Sequence, residues 1–267
     1  MPETRLPAVA GTFYPGDPKD LQKMIDEYLA SAKDVPIEGR LRGLVIPHAG
    51  YIYSGPVAAY GYRLLAHYRG KIRRIILLGP SHYAAFFGAC ESGFDSWQTP
   101  LGIVRAVSLR GEMPKEFREM VNIYPEAHAP EHCLEVQLPF LQTVLGNDLE
   151  VWPLLCGEIN PATLASAILP FVDDRSLVLA SSDLSHYLPY AEAVKIDGVA
   201  NRTVPALDIS GFTLSGDACG KIGILTLMNI AKKKGWKGKL LDYRNSGDTA
   251  GPKDGVVGYG CYAFSAP

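Results

Sequence analysis

The chain has 267 residues and a mass of 29.0 kDa, with 47% hydrophobic and 20% charged residues. These values are typical of a globular protein and exclude a disordered, collagen-like or coiled-coil chain. The 26 basic residues nearly balance the 28 acidic ones, for a net charge of −2. Such a balance does not indicate binding to nucleic acid or to an acidic membrane surface.

No stretch approaches 18 consecutive apolar residues, so we expect no membrane-spanning segment, and the proline-punctuated N-terminus does not resemble a secretory signal. The five cysteines are odd in number and form no CxxC pair, which predicts free thiols in the reducing cytoplasm. No repeat or linker divides the chain. We therefore predict a single domain spanning residues 1–267, with the first 20 residues as an arm packed on its body.

The first predicted helix begins at Asp17, because Asp is a favoured N-cap and the following Pro18 a favoured first helical residue. Next come short apolar runs without alternation, which are typical of strands buried on both faces. They lie at residues 43–47, 75–79, 149–155 and 177–181. Pro153 predicts that the third run is an edge strand or contains a bulge.

Helical patterns lie between and after these runs. Leucines at helical spacing predict a helix over residues 134–145, and a second apolar stripe begins at Ile222. Three lysines at 232–234 suit the C-terminal end of that second helix, where cations complement the helix dipole. Residues 256–264 are predicted to form the last strand. The alternation predicts an α/β fold with a mixed, largely parallel sheet between helical layers.

Three of the six histidines come directly after a predicted strand: His48, His82 and His186. Ligands of open α/β sheets bind at this edge of the sheet. Imidazole is both the commonest metal ligand and a base poised near neutral pH. The placement therefore predicts one shared site for metal binding, proton transfer or both.

Other polar residues near these histidines have two interpretations each. Asp183 could orient an imidazole or bind a metal, or it could serve a turn. His132, with Glu131, is expected to open the helix that ends at Leu145, facing the same pocket or solvent. Cys219 precedes a predicted helix, which would lower the pKa of its thiol and favour metal binding, or it could be a structural cysteine. The remaining cysteines are predicted to be core residues.

Three motif matches are rejected. Residues 128–132 spell H-x-x-E-H, but Pro130 would break the helix that this zinc-binding motif needs. Residues 216–222 are one residue short of a phosphate-binding loop and end in Ile222 instead of Ser or Thr. Residues 255–260 lack the glycine order of a dinucleotide site. No nucleotide cofactor is predicted.

Seven ordered motifs give the sequence a strong resemblance to the Memo family, which includes the AmmeMemoRadiSam system protein B proteins. They are PAVAGTFYP (7–15), PHAGYIYSG (47–55), LGPSHY (78–83), TPLG (99–102), EHCLEVQLPFLQ (131–142), SSDLSHY (181–187) and CG (219–220). The resemblance implies a fold similar to LigB-type class III extradiol dioxygenases, which bind non-haem iron.

The resemblance also implies roles for individual residues. The metal ligands would be His48, His82 and Cys219. The other polar residues of the pocket, predicted to be catalytic, would be His132, Asp183 and His186. Cys133 stands where the family more usually has Ser. A thiolate softens the ligand set and favours Fe(II), Cu or Zn over Mg²⁺ or Ca²⁺.

Three functions fit these observations. The leading hypothesis is a cytoplasmic metal-binding redox protein that works with radical-SAM and AMMECR-type proteins. The second is a non-catalytic module that binds a peptide or protein in the same pocket, with Tyr51, Tyr53 and Tyr83 as aromatic contacts. The third is a zinc-dependent hydrolase, in which metal-bound water is the nucleophile. Neither nucleic acid nor membrane is an expected partner.

Overall fold

The computed structural model describes residues 3–267, and within them a mixed sheet lies between two layers of helices, which confirms the predicted fold class. The strands are β1 (Thr4–Arg5), β2 (Arg40–Ile46), β3 (Arg74–Pro80), β4 (Ala89–Glu91), β5 (Ser96–Thr99), β6 (Gly102–Ala106), β7 (Val121–Ile123), β8 (Glu150–Cys156), β9 (Ser176–Ser181), β10 (His186–Leu188), β11 (Lys237–Asn245) and β12 (Val256–Ala266).

The helices cover both faces of this sheet. They are α1 (Pro18–Ser31), α2 (Tyr51–Ala66), α3 (Lys115–Arg118), α4 (Pro125–His128), α5 (Leu138–Leu145), α6 (Pro161–Ile168), α7 (Tyr190–Thr203), α8 (Ile209–Ser215), α9 (Lys221–Lys234) and α10 (Ser246–Thr249). Within the described residues, no helix is both long and apolar enough to cross a bilayer.

The centre of the sheet is a parallel set of strands in the order β8-β3-β9-β2. The antiparallel strand β12 continues the sheet beyond β2 and carries β11 and β10. On the other side β6, β5 and β1 extend the sheet past β8. Because β2, β3 and β9 are parallel neighbours, the loops that leave their carboxyl ends meet at one edge.

Side chains alternate between two cores, one on each face. Leu44 of β2 and Leu77 of β3 pack on the side covered by α1, α2 and α5. Val45 and Ile76 pack on the other side, beneath α6, α7, α8 and α9. The apolar runs without alternation are therefore strands buried on both faces, as predicted.

Several local predictions are confirmed at the helix ends. Asp17 caps α1 by accepting the N–H groups of Lys19 and Asp20, and Pro18 is the first helical residue. Lysines 232–234 occupy the last turn of α9.

The helix predicted over residues 134–145 is wrong at its start. Residues Glu135–Gln137 form a 3₁₀ turn, and α5 begins only at Leu138. Pro139 explains the late start, because in the interior of a longer α-helix it would lack an N–H and clash with the preceding turn. His132 and Glu131 therefore lie in the loop that leads into this turn.

Pro153 lies in an interior strand, so the edge interpretation of β8 is wrong. On one side β8 pairs with β3 throughout, including Pro153 with Leu77. On the other side of β8, its first residues pair with β6 as far as Val151. Its last residues pair with β4 from Leu154 onward. Proline thus occupies the gap between two partner strands, where a missing N–H costs little.

The N-terminal arm packs on the body through a buried ion pair. Arg5 and Glu135 are 2% and 0% exposed, and Nη1 donates to Oε2 over 2.7 Å. The Glu135 carboxylate also accepts the N–H groups of Ala8 and Val9 and the Tyr14 hydroxyl. The arm is therefore tied to the turn before α5.

Replacing Glu135 by Gln is expected to lower the free energy of unfolding by about 3–5 kcal/mol, because it leaves the Arg5 guanidinium buried without a counter-charge. Urea unfolding would measure the loss. Glu38→Gln is the control, since it breaks an ion pair with Lys237 in which both side chains are exposed. A loss for Glu135→Gln no larger than that of the control would contradict the prediction.

Candidate metal centre

His48 and His82 lie in the loops just after β2 and β3, and their ring centroids are 5.4 Å apart. Cys219, which precedes α9, places its Sγ 3.2 Å from Nε2 of His48. One ligand atom of each of these three residues lies within 4.8 Å of the others. Three side chains from distant parts of the sequence thus converge with the spacing of a metal ligand set.

A hydrogen-bond network fixes the orientation of His48. The Ser181 hydroxyl donates its one proton to the carbonyl of Cys133 over 2.6 Å and accepts from Nε2 of Gln137 over 2.7 Å. It must therefore accept from Nδ1 of His48, 3.0 Å away. With the proton on Nδ1, the lone pair of Nε2 faces Cys219.

Glu131 fixes His82 in the same way. Its fully buried carboxylate lies 2.9 Å from Nδ1 of His82 and accepts the main-chain N–H of that residue over 2.7 Å. It also accepts the N–H groups of His132 and Cys133. Burial acts to raise the pKa of Glu131, but the hydrogen bonds from His82 and Cys133 outweigh it and hold the pKa at about 2. Glu131 is thus ionised and receives the Nδ1 proton, which leaves Nε2 of His82 free.

Burial and the nearby His82 together keep His48 neutral. Burial lowers the pKa of His48 to about 3, and the neighbouring His82 acts in the same direction. Metals bind the neutral form of imidazole, so at pH 7 this ring needs no proton removed.

The expectation of a low pKa for Cys219 is wrong for the metal-free protein. Burial, followed by the negative charge of Asp183, raises the pKa of the thiol to about 12. Hydrogen bonds with Asp183, Ser182 and Gly220 act in the opposite direction but do not outweigh burial, although the main-chain N–H of Asp183 donates to Sγ over 3.3 Å. Metal binding would have to displace the thiol proton.

Asp183 holds main-chain atoms of the site. Its carboxylate accepts the N–H of His48 over 2.7 Å, and its carbonyl accepts the N–H of Cys219 over 3.2 Å. Among residues 3–267, no hydrogen bond joins its carboxylate to His186. Asp183 therefore links the loop that carries His48 to the segment that carries Cys219.

His186 is not one of the residues whose ligand atoms converge in the described chain. It opens β10 and pairs with Val257 of β12. A positive charge on His186 would lower the pKa of both His48 and Asp183, which puts it within electrostatic range of them. Its only close aromatic neighbour in the described chain is Tyr187, with ring centroids 5.9 Å apart.

His132 packs directly on the converging histidines. Its ring stacks on His82 at 4.8 Å and meets His48 edge-on at 5.5 Å. Its Nδ1 lies 3.3 Å from Glu131 but out of line for a hydrogen bond, so this buried nitrogen has no partner among the described residues. Burial lowers the pKa of His132 to about 4 and keeps the ring neutral.

The rejected H-x-x-E-H motif is split in the structure. His128 is the last residue of α4 and bonds through Nε2 to the carbonyl of Cys90. Glu131 and His132 lie beyond the helix, next to His82. The two histidines of the motif thus belong to different environments.

Sequence reasoning missed the residues that orient the ligands. Ser181 and Gln137 were not singled out, and Glu131 was noted only as a companion of His132. Gln137 and Ser181 are 44 residues apart in sequence, and Glu131 and His82 are 49 apart. Only their presence in the family-like motifs could have marked them.

Tyr51 is not available to a ligand. It is 3% exposed and its hydroxyl donates to the carbonyl of Val136. Tyr83 is 60% exposed, and Tyr53 is partly buried. The four cysteines other than Cys219 are buried, as predicted.

Comparisons with known proteins agree over nearly the whole chain. A family model described as Memo-like protein matches residues 5–263. A MEMO1 family protein of Saccharolobus islandicus is 39% identical, with 96% of this chain and 97% of the relative covered. MEMO1 family proteins of Saccharolobus solfataricus (38% identical; 96% and 97% covered) and Desulfurococcus amylolyticus (37%; 97% and 98%) are similar.

Alkylation should report the raised pKa of Cys219. Because only the thiolate reacts, we expect slow labelling by iodoacetamide at pH 7 in metal-free protein and a rate that rises about tenfold per pH unit up to pH 10. Mass spectrometry would follow each cysteine, with Cys219→Ser as the control for labelling elsewhere. A rate that levels off below pH 8 would instead indicate a low pKa.

Proposed function

The chain belongs to the Memo-like family, and we propose that it is a metal-binding redox protein whose ligands are His48, His82 and Cys219. One observation carries the proposal. The ligand atoms lie within 4.8 Å of one another, and the Nδ1 atoms of both histidines are engaged by Ser181 and Glu131, so Nε2 of each ring carries the lone pair that a metal would take. An imidazole held through its other nitrogen is the usual arrangement in metal sites.

The chemistry of this ligand set favours a soft or borderline metal. Two imidazoles and one thiolate suit Fe(II) or Cu, and also Zn, better than Mg²⁺ or Ca²⁺. A bound iron or copper ion would supply one-electron redox chemistry or oxygen binding. The thiolate of Cys219 would itself be open to oxidation there.

The neighbouring residues would bind and move protons around the bound substrate. His132 is mostly buried and neutral, so it can accept a proton at whichever ring nitrogen is unprotonated. His186 is proposed as a second acid/base group. Asp183 contributes by holding the main chain of His48 close to that of Cys219.

The resemblance to AmmeMemoRadiSam system proteins supports a proposal about the partners and the location of this protein. Radical-SAM and AMMECR-type proteins are the proposed partners, and the cytoplasm is the proposed location. A peptide-binding module is the second candidate, because the exposed ring of Tyr83 lies edge-on to His132, with centroids 6.4 Å apart, where a bound peptide could contact it.

Metal content is the first test. Protein purified without a histidine tag and without oxygen is expected to retain iron or copper, measured by mass spectrometry of the metals. Cys219→Ser should lose the metal, whereas the buried Cys261→Ala should keep it because Cys261 lies within a core strand. Zinc would favour a hydrolase, and a metal-free protein that binds peptides would favour the second candidate.

The orienting carboxylate gives an independent test. Glu131→Gln keeps the size of the side chain but removes the charge that receives the Nδ1 proton of His82. Metal affinity is expected to fall about 10–100-fold, as for other residues that orient ligands. The exposed Glu126→Gln on α4 is the matched control. Equal affinities of the two variants would contradict the proposed role of His82.

A further inference from the structure

A second cleft lies at the opposite end of β2 from His48. Arg40 opens this seven-residue strand, and at about 3.3 Å per residue the two ends are roughly 23 Å apart. The cleft has a volume of about 690 Å³ and lies between the α1–β2 connection and the segment that joins α2 to β3. This volume is within the range of small-molecule sites.

The cleft is strongly basic, although the chain as a whole has a net charge of −2. Its walls carry five cationic side chains and two carboxylates. The cations are Lys33, Arg40, Arg42, Arg63 and Lys71, and the carboxylates are Asp34 and Asp174. Positive charge is thus concentrated in one concave place, where it raises the local potential for an anion.

Both carboxylates are already engaged by arginines. Arg63 binds Asp34 through two nitrogens, at 2.6 and 3.0 Å, and Arg42 pairs with Asp174. In the described part of the chain, Lys33, Arg40 and Lys71 have no carboxylate within 4.0 Å. Three exposed cations therefore line the cleft without a carboxylate in direct contact.

The need to balance helix dipoles does not explain Arg40 and Lys71. Helices α1 and α2 end near the cleft, but dipole effects are confined to the last turn of a helix. Arg40 lies on a strand, and Lys71 lies five residues beyond the end of α2. Neither residue is placed to cap a helix.

The floor of the cleft is apolar and aromatic. Leu64, Ile72 and Val35 line it, together with the rings of Tyr60 and Tyr68. The ammonium group of Lys71 lies 5.7 Å from the ring centre of Tyr68, so charge and aromatic surface adjoin. A ligand with a charged end and a flat or apolar body would contact both.

We propose that this basic cleft binds a small phosphorylated molecule with an aromatic or apolar body. Two or more negative charges on the phosphate end would pair with Arg40, Lys71 and Lys33, and the body would lie on the tyrosines and aliphatic side chains. The cleft has the volume of a small-molecule site, which favours a small molecule over nucleic acid.

Calorimetry with three probes would test the proposal on the full-length, metal-free chain in chelator-free buffer. ATP carries both parts of the proposed ligand, tripolyphosphate only the charge, and adenosine only the body. We expect ATP to bind more tightly than tripolyphosphate, adenosine to bind weakest, and the affinity for ATP to fall as salt is raised.

Two double variants separate the cleft from a general charge effect. Arg40→Ala/Lys71→Ala is expected to weaken ATP binding at least about tenfold, since two charge-assisted contacts are lost. Lys195→Ala/Lys234→Ala removes the same charge from exposed helix positions and should leave the affinity unchanged. Thermal melting confirms that each variant is folded, and Arg40→Gln/Lys71→Gln replaces the first if it is not.

Three results would overturn the proposal. The first is no ATP binding at 50 mM salt. The second is an equal loss of affinity in both double variants, which would mean that only net charge matters. The third is loss of ATP binding in His48→Ala/His82→Ala while Arg40→Ala/Lys71→Ala binds normally, which would place ATP at the histidines.

Discussion

The buried ion pair between Arg5 and Glu135 fixes the segment on which the candidate metal centre depends. Beyond the pair itself, the guanidinium donates to the carbonyls of His128, Ala129 and Glu131, so its cation satisfies main-chain acceptors in the loop before the turn. Its face lies 4.2 Å from the Trp97 ring. This segment consists of residues 128–137. Every side chain that orients the ring of His48 or His82 either lies on it or is hydrogen-bonded to it.

Two kinds of constraint thus meet at the site. The parallel strands β2, β3 and β9 bring His48, His82 and Ser181 to one edge through main-chain geometry alone. The turn before α5 and the loop that leads into it then supply Gln137 and Glu131, which decide which nitrogen of each ring carries the proton. Strand order places the rings, and the buried turn orients them.

The electrostatics of the site follow from burial. Imidazoles that are withdrawn from water stay neutral, and a thiol withdrawn from water stays protonated. The one ionised group with a strongly lowered pKa, Glu131, keeps its charge because four N–H groups point at it. Such a site is prepared for a cation, which would replace the thiol proton and offset the carboxylate. The basic cleft at the other end of β2 differs in that three of its cations, Lys33, Arg40 and Lys71, are exposed.

The sequence by itself determined the α/β class, the four buried strands, the capped start of α1 and the presence of histidines after β2 and β3. These features depend on local periodicity, capping chemistry and the direction of strands, which neighbouring residues encode. Only the tertiary structure decided where α5 begins, why Pro153 is tolerated in an interior strand, and that Asp183 holds the main chain of His48 and Cys219. It also decided that Cys219 has a raised pKa. Each of these features depends on residues that are distant in the sequence, so no local sequence pattern encodes it.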